Sequence, residues 1–383
     1  MRLIVNASTL SGSGVTQVAV SFIEECKAFL ENTYLVLVSK VVVEQLTISE
    51  FPDNFQFHVV AHHPLSGLKG GVELRKIKKL QRRFRPDVMF SVFGPSWWKP
   101  YCPHLVGYAY PHYVYPESPL FLKLSLKEKI AIWLKKKIHI SALNREASFF
   151  VSETDDVSNR LKKLLPDVKN RFYTVGNTYS SLFHAFMCNP DQSTENLLPE
   201  RSENEFRFLS LCTFHMHKNL LILNKVIPIL NRDRGGINIK FILTIDDAIF
   251  ESKFSAEAKK SIINIGRQPV HNCPRLYMES DSLFLPTLLE CFSANYPEAM
   301  YMKRPIVTSN LTFATSVCGN AALYFDPTHA KDISEKILMI YHDEKLRDEL
   351  VINGSQQLTK FPDASERARK YLAICKTIAK KYK

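Results

Sequence analysis

Three features that define common classes of protein are missing from this sequence of 383 residues. Its eight cysteines include no Cys-x-x-Cys pair and no cysteine–histidine cluster, which argues against a zinc site or a disulfide framework. No window approaches the roughly 18 consecutive apolar residues of a membrane-spanning helix. The first residues, MRLIVNAS, enter a predicted strand too soon for a signal peptide. We therefore expect a cytoplasmic protein with reduced thiols.

Positive charge is abundant and unevenly distributed. The 50 lysines and arginines exceed the 38 acidic residues and give a formal net charge of +12, which favours an anionic partner. Many of the lysines lie in residues 121–140, FLKLSLKEKIAIWLKKKIHI, where apolar residues recur at helical spacing. This pattern predicts a basic amphipathic helix on an anionic membrane surface, and thus peripheral association with the inner face of the membrane. The alternative is a domain helix whose apolar stripe belongs to the core. No nucleic-acid motif accompanies the charge, so we expect no nucleic-acid partner.

Predicted strands and helices alternate along most of the chain, which indicates an α/β protein with doubly wound parallel sheets. The length is sufficient for two domains with separate cores. A polar stretch without periodicity, residues 178–204, is the predicted linker between a domain over residues 1–177 and another over residues 205–360. Residues 361–383 form a predicted final helix.

A glycine-containing turn follows the first predicted strand. Gly12 and Gly14 lie in the sequence Ser-Gly-Ser-Gly-Val, where free backbone N–H groups could meet a phosphate or a sugar hydroxyl. The turn is neither a complete Gly-x-Gly-x-x-Gly motif nor a P-loop, because position 17 is Gln and no Lys-Ser/Thr follows. A plain tight turn is the alternative.

The most informative stretch is 285–308, LPTLLECFSANYPEAMYMKRPIVT. Glu290 and Glu298 are separated by seven residues. A predicted strand over 282–285 precedes them, and a helix predicted over 296–303 carries Glu298. The helix N-terminus around 293–296 would offer unpaired N–H groups between two carboxylate acceptors, an arrangement suited to an anionic, hydroxyl-rich ligand such as a nucleotide sugar.

With Pro286, Phe292 and the sequence Pro-Ile-Val at 305–307 in register, this stretch resembles the Glu-x7-Glu motif of retaining glycosyltransferases of family 4. The resemblance implies a GT-B fold, in which two Rossmann-like domains face each other across a cleft and a C-terminal helix crosses back to the N-terminal domain. It implies an N-terminal domain that binds the acceptor and a C-terminal domain that binds the nucleotide sugar. By the same resemblance Glu290 faces the donor sugar and Glu298 binds the ribose hydroxyls.

Other elements of the resemblance supply the remaining site residues. The sequence Lys-Asn-Leu at 218–220, between a strand and a helix, matches an element that binds the donor diphosphate, although a solvated surface lysine is the alternative for Lys218. His112, in an aromatic stretch suited to stacking on a sugar ring, resembles a histidine of the family cleft, although a structural role is equally open. The predicted catalytic residues are Glu290, His112 and Lys218, and the predicted donor-binding residues are Gly12, Gly14, Lys218, Arg267, Ser293, Ala294, Asn295 and Glu298.

The family resemblance implies transfer of a sugar from a nucleotide-diphosphate sugar to a hydroxyl of a lipid-linked or surface-polysaccharide glycan. No cofactor and no metal are expected, because no Asp-x-Asp-type pair presents itself. Thr213 stands where the family frequently has an arginine, so that His217 or another basic residue compensates, donor affinity is lower, or activity is lost. A nucleotide-sugar epimerase and a catalytically inactive nucleotide-binding protein of the same fold are the alternatives.

Overall fold

The computed structural model describes residues 1–166, 171–189, 196–232 and 238–382. The chain divides into two structural units. Unit 1 consists of Met1–Pro116, Leu124–Asn177 and Pro362–Lys383, and unit 2 consists of Glu117–Lys123 and Thr178–Phe361. Part of the predicted linker, residues 190–195, lies outside the described residues. The described linker residues include a helix, Ser181–Cys188.

Each unit is built on one parallel β-sheet. In unit 1 the strands are β1 (Arg2–Ala7), β2 (Thr33–Val38), β3 (Phe55–Val59), β4 (Val88–Ser91), β5 (His104–Gly107), β6 (Phe149–Ser152) and β7 (Phe172–Thr174). In unit 2 they are β8 (Glu205–Ser210), β9 (Asn238–Leu243), β10 (Ile262–Asn264), β11 (Ser282–Leu285), β12 (Ile306–Ser309) and β13 (Ala322–Phe325). Most central strands are continuous apolar runs because helices cover both faces of a parallel sheet.

The α-helices, in chain order, are α1 (Ser13–Glu25), α2 (Lys40–Val43), α3 (Gly67–Phe84), α4 (Pro111–Val114), α5 (Leu120–Lys123), α6 (Leu126–Glu146), α7 (Asp155–Leu164), α8 (Ser181–Cys188), α9 (Leu223–Arg232), α10 (Asp247–Lys253), α11 (Ala256–Lys259), α12 (Cys273–Met278), α13 (Asn295–Tyr301), α14 (Thr312–Cys318), α15 (Ala330–His342), α16 (Glu344–Leu358) and α17 (Ala364–Lys381). Within the described ranges, no helix is both long and apolar enough to cross a bilayer.

The strand order reverses at one point in each sheet. The order is β3-β2-β1-β4-β5-β6-β7 in unit 1 and β10-β9-β8-β11-β12-β13 in unit 2. The chain therefore changes direction across the sheet between β1 and β4, and again between β8 and β11. In doubly wound sheets, ligands bind outside the carboxyl ends of the strands at this switch point. The predicted pair of Rossmann-like parallel sheets is confirmed.

The last helix of the chain belongs to unit 1. Tyr371 of α17 packs with Phe22 of α1 at a ring-centroid distance of 5.6 Å and with Phe90 of β4 at 5.0 Å. On the same helix the buried Arg367 donates a hydrogen bond of 2.6 Å to the Ser21 hydroxyl and another to the Asn177 side chain. The helix α17 therefore packs into the core of unit 1, together with α1 and β4.

The basic helix predicted over 121–140 is in fact two helices, α5 and α6. The break precedes Ser125, whose hydroxyl accepts a hydrogen bond of 3.3 Å from the Glu128 N–H. The Glu128 carboxylate accepts the Ser125 N–H at 2.8 Å. This capping box satisfies donors that have no partner at a helix start, so α6 begins there instead of continuing from α5. The helix predicted over 296–303 runs over Asn295–Tyr301 instead.

The apolar stripe of α6 is exposed, so the alternative of a stripe buried in the core is wrong. Five side chains at helical spacing are between 49% and 74% exposed: Leu126, Ile130, Trp133, Leu134 and Ile138. The buried face of α6 is formed by other residues, His139, Ala142, Leu143 and Glu146. Contacts along that second face hold the helix on unit 1.

Candidate functional site

Lys218 lies in the loop that follows β8, the first strand at the switch point of unit 2. A short 3-10 turn, Met216–Lys218, carries it, and Asn219 ends the turn with a left-handed φ of 56°, a conformation that asparagine adopts more readily than most residues. The Asn219 amide donates a hydrogen bond of 2.9 Å to the Pro327 carbonyl oxygen. This bond holds the backbone that presents the Lys218 side chain.

Glu290 lies after β11, the second strand at the same switch point, and its carboxylate forms an ion pair with the Lys218 ammonium. The two loops are also joined by their backbones, because the Leu288 N–H donates a hydrogen bond of 2.7 Å to the His217 carbonyl oxygen. The Thr287 hydroxyl lies 3.1 Å from that oxygen and 3.2 Å from Glu290 Oε1. Lys218 is therefore not a solvated surface lysine.

The electrostatics of the pair keep Lys218 charged. Burial favours the neutral amine, but the adjacent Glu290 carboxylate outweighs it and raises the pKa of the Lys218 ammonium above its usual value. Only 16% of the Lys218 side chain and 14% of the Glu290 side chain are exposed. The pair thus places a fixed positive charge in a partly desolvated position, where it can interact strongly with an anionic ligand.

Glu298 has a different environment on α13. Burial raises the pKa of its carboxyl to about 7, although a hydrogen bond of 3.1 Å from the Tyr277 hydroxyl opposes this shift. Close by in sequence, the Asn295 amide donates a hydrogen bond of 2.9 Å to the Leu211 carbonyl oxygen just after β8. The start of α13 is therefore anchored to the loop region that leads to Lys218.

The predicted site residues fall into two groups. In unit 2, Lys218 and Glu290 are in direct contact, and Ser293 Oγ lies 3.3 Å from the Asn295 side-chain oxygen beside the N-cap residue Ala294. Arg267 is exposed in the segment after β10, and it takes no part in the contacts just described. Gly12, Gly14 and His112 lie in unit 1.

The two predicted glycines are not required by the local backbone. Gly12 has an extended φ of −86° at the N-cap of α1, and Gly14 lies inside α1. A β-carbon on Gly12 would be 3.5 Å from Val15 Cγ2, and one on Gly14 would meet nothing within 4 Å. If activity requires glycine at these two positions, the reason is therefore a ligand and not the fold of unit 1.

Unit 2 contains two relevant residues that the sequence analysis missed. Lys123 of α5 donates a hydrogen bond of 2.6 Å to the Asn219 side-chain oxygen, next to Lys218. Burial, with a smaller effect of Lys225, lowers the pKa of the Lys123 ammonium. Tyr277 is the partner of Glu298. Lys123 is 96 residues from Asn219 in the chain, and no local pattern indicates such a contact.

Unit 1 contains an aromatic group near its own strand ends. The Trp97 ring lies 5.2 Å from the His139 ring, and Tyr110 lies 4.8 Å from His139. Trp97 adopts a left-handed φ of 70°, and its backbone N–H donates a hydrogen bond of 2.9 Å to the buried Glu146 carboxylate. Burial, with a contribution from Lys135, lowers the pKa of His139 to about 4, so its ring is neutral near pH 7. The sequence analysis identified the aromatic stretch around His112 but not the contribution of His139.

Comparison with known proteins gives the family to which the site region is similar. The model of the family "Glycosyl transferases group 1" matches residues 198–357, which include Lys218, Glu290 and Glu298. O-antigen chain mannosyltransferase B of Escherichia coli is 29% identical over 116 residues, 30% of this chain and 30% of that protein. The N,N'-diacetylbacillosaminyl-diphospho-undecaprenol alpha-1,3-N-acetylgalactosaminyltransferase of Campylobacter jejuni is 32% identical over 107 residues, 27% of this chain and 28% of that protein. The matched segments span less than a third of these relatives.

Solved structures resemble the whole chain. A glycosyltransferase from Rickettsia africae superposes with a TM-score of 0.71 at 14% identity and 98% coverage of both chains. Anabaena HepE, in complex with UDP and glucose, superposes with a TM-score of 0.68 at 11% identity, covering 98% of this chain and 100% of that one. At these identities the likeness concerns the fold. The two Rossmann-like sheets, together with these neighbours, give this chain the GT-B fold of glycosyltransferases.

Proposed function

We propose that this protein is a retaining, metal-independent glycosyltransferase of family 4. It transfers a sugar from a nucleotide-diphosphate donor to a hydroxyl of a lipid-linked or surface-polysaccharide glycan. One observation carries the proposal: the Lys218–Glu290 pair joins the loops after β8 and β11, where strand order reverses, within the segment that matches group 1 glycosyltransferases. Ligand binding at this point is typical of doubly wound sheets.

The donor is held by complementary charges and acceptors in unit 2. Lys218 binds the diphosphate as a point charge, and the Glu298 carboxylate accepts hydrogen bonds from the ribose hydroxyls. Ser293, Ala294 and Asn295 line the donor site at the start of α13, and Arg267 lies beside the base. The complex of the neighbouring HepE structure with UDP and glucose supports a nucleotide-sugar donor.

In the reaction, the bond between the sugar C1 and the diphosphate oxygen breaks, and the acceptor oxygen forms a bond to C1 on the same face. The acceptor proton passes to the leaving diphosphate. Lys218 stabilises the negative charge that develops on the leaving group, and Glu290 orients Lys218 and faces the donor sugar. The stabilising charge comes from the protein, so a bound metal is not required.

The acceptor is bound by unit 1. His112 faces the acceptor there, and the turn with Gly12 and Gly14 faces the donor phosphates. The names of the two relatives, an O-antigen chain mannosyltransferase and a transferase acting on a diphospho-undecaprenol substrate, support a glycan or lipid-linked acceptor. The exposed apolar stripe of α6, with exposed Lys127, Lys129, Lys135 and Lys137, supports attachment to an anionic membrane. The protein is then peripheral at the inner face of the membrane.

A thermal-shift screen tests the donor site directly. We expect one of UDP, GDP, ADP or their sugars to stabilise the protein by mass action, by about 2.7 kcal/mol at a hundred times the dissociation constant. Glu298→Ala should lose most of that shift, because it removes the ribose acceptor. Glu257→Ala, a change of an exposed glutamate on α11, is the matched control and should keep it.

Turnover then distinguishes the proposal from its alternatives. Transfer to an acceptor glycan with the anomeric configuration retained, unaffected by a chelator, is the expected result. Donor conversion without an acceptor would favour an epimerase, and binding without turnover would favour an inactive nucleotide-binding protein. If no nucleotide stabilises the protein, the proposed donor site is wrong.

A further inference from the structure

A small apolar surface lies at the start of α3 in unit 1, and we call residues 65–72 the α3 tip. Leu65 is 61% exposed, Leu68 is 93% exposed and Val72 is 49% exposed. Leu68 and Val72 are four residues apart and share one side of the first helical turns, and Leu65 lies in the turn just before the helix. The buried face of α3 uses other residues, among them Gly70, Glu73 and Ile77. The exposed leucines therefore contribute nothing to the core of unit 1.

The α3 tip is held in a defined shape. His63 Nδ1 accepts a hydrogen bond of 3.2 Å from the Leu65 N–H, and the Ser66 N–H donates one of 2.8 Å to the His63 carbonyl oxygen. A β-carbon on Gly70 would lie 2.5 Å from the Pro64 carbonyl oxygen, so only glycine allows the turn to fold against the helix this closely. The turn thus displays Leu65 and Leu68 from a fixed backbone.

Positive charge lies within the tip at Lys69 and continues along α3. All the lysines and arginines of α3 are exposed, and the helix contains one acidic residue, Glu73, which is buried and paired with Lys76. The exposed cations of the helix are Lys69, Arg75, Lys76, Lys78, Lys79, Arg82 and Arg83. Aliphatic side chains beside exposed cations complement an anionic lipid surface, where the apolar groups enter the acyl boundary and the cations meet the headgroups.

The α3 tip is near α6 within the same unit. The Trp97 ring lies 5.8 Å from the His63 ring and 5.2 Å from the His139 ring. His63 forms the turn of the tip, and His139 belongs to α6. The Trp97 side chain therefore lies between the α3 tip and α6, and both of these elements expose apolar residues beside cations. Each apolar patch is small, and a fluid bilayer can take up both without a matching shape.

We propose that the α3 tip is a second membrane-binding element, which inserts Leu65 and Leu68 into an anionic bilayer alongside α6. The inference rests on the proposed peripheral membrane association, and it goes beyond that association by assigning contact to a segment outside residues 121–140. Two separated contacts would fix the orientation of unit 1 on the bilayer, with the aromatic group around Trp97 between them.

The test is co-sedimentation of the full chain with vesicles of phosphatidylethanolamine and phosphatidylglycerol, compared with vesicles of phosphatidylcholine alone. Leu65→Ser/Leu68→Ser should weaken binding to the anionic vesicles by roughly a hundredfold, because two aliphatic side chains no longer leave water. Lys69→Gln should weaken the same binding by about fivefold, as expected for one cation near a charged surface. Leu30→Ser is the matched control, a leucine of unit 1 that is 66% exposed elsewhere, and it should bind like the wild type.

Four results would overturn the proposal. The tip variants could bind anionic vesicles as tightly as the wild type, or Leu30→Ser could lose as much affinity as they do. In the absence of vesicles, the double variant could instead abolish self-association of the wild type, which would assign the tip to a second copy of the chain. If the wild type does not bind anionic vesicles at all, both membrane contacts are wrong, whereas nucleotide binding in the thermal-shift screen reports on the glycosyltransferase proposal independently.

Discussion

Glu298 should make the stability of unit 2 depend on pH in an unusual direction. Burial holds the pKa of its carboxyl at about 7 in the folded protein, against an ordinary value of 4.5. The unfolded chain therefore loses this proton first, and ionisation opposes folding. The stabilising contribution of the protonated form is complete below about pH 4.5 and is lost as the pH rises through about 7.

The magnitude follows from the size of the pKa difference. One unit of pKa corresponds to about 1.4 kcal/mol, so the free energy of unfolding should fall by up to about 3 kcal/mol across this interval because of Glu298. Glu298→Gln keeps a neutral group that can accept the Tyr277 hydroxyl. The variant should match the wild type near pH 5 and should be more stable than it by up to about 3 kcal/mol near pH 8.

Denaturant unfolding at several pH values, followed by a signal from unit 2, measures this difference, with Glu257→Gln as the control on the exposed surface of α11. Nucleotide affinity should change with the opposite sign, because an ionised carboxylate is the better acceptor for ribose hydroxyls. We expect affinity to rise about tenfold between about pH 6 and about pH 8 in the wild type and to stay flat in Glu298→Gln. A variant less stable than the wild type at every pH would refute the reasoning.

Three further predictions concern the Lys218–Glu290 pair and two glycines of unit 1. Lys218→Met should destabilise unit 2 by about 3 kcal/mol, because it leaves the Glu290 carboxylate partly buried without a partner. Adding Glu290→Gln should restore part of that loss but no nucleotide binding, as measured by unfolding and by calorimetry; restored binding would exclude Lys218 as the diphosphate ligand. Gly14→Ala should stabilise α1 by about 0.5 to 1 kcal/mol, so that any loss of transfer activity reports on ligand approach. Gly107→Ala should prevent stable folding, since its β-carbon would lie 1.7 Å from the Val92 carbonyl oxygen. A thermal melt distinguishes the two glycine variants, because Gly14→Ala should melt cooperatively and Gly107→Ala should not.

Much of the fold and part of the site could be predicted because both depend on local pattern. Strands such as β4 and β11 are short apolar runs that end at polar turns, and this signal is strong in parallel sheets. Lys218 and Glu290 each lie in the loop after a strand, and adjacent parallel strands bring their carboxyl ends together. Their location at one edge of the sheet could therefore be predicted, although their ion pair was not. Their catalytic roles stay predictions.

Exposure and long-range contact were harder to predict. The periodicity of α6 defines an apolar stripe, but a period does not reveal whether a second layer covers it. Ser125 and Glu128 had the spacing of a capping box, yet the lysine-rich pattern on both sides suggested one continuous helix. The contact of Lys123 with Asn219, and the left-handed backbone of Trp97, depend on tertiary structure that no short window contains.

The return of α17 to unit 1 has a consequence for synthesis of the chain. Tyr371, Leu372 and Ile378 fill the same core as residues of β1 and β2, so unit 1 cannot complete this core until α17 has been synthesised. The strands of the second sheet are all contiguous and can assemble while translation continues. Unit 2 should then fold before unit 1, the reverse of the usual order, and a chain interrupted before α17 would expose an open hydrophobic surface to chaperones and proteases.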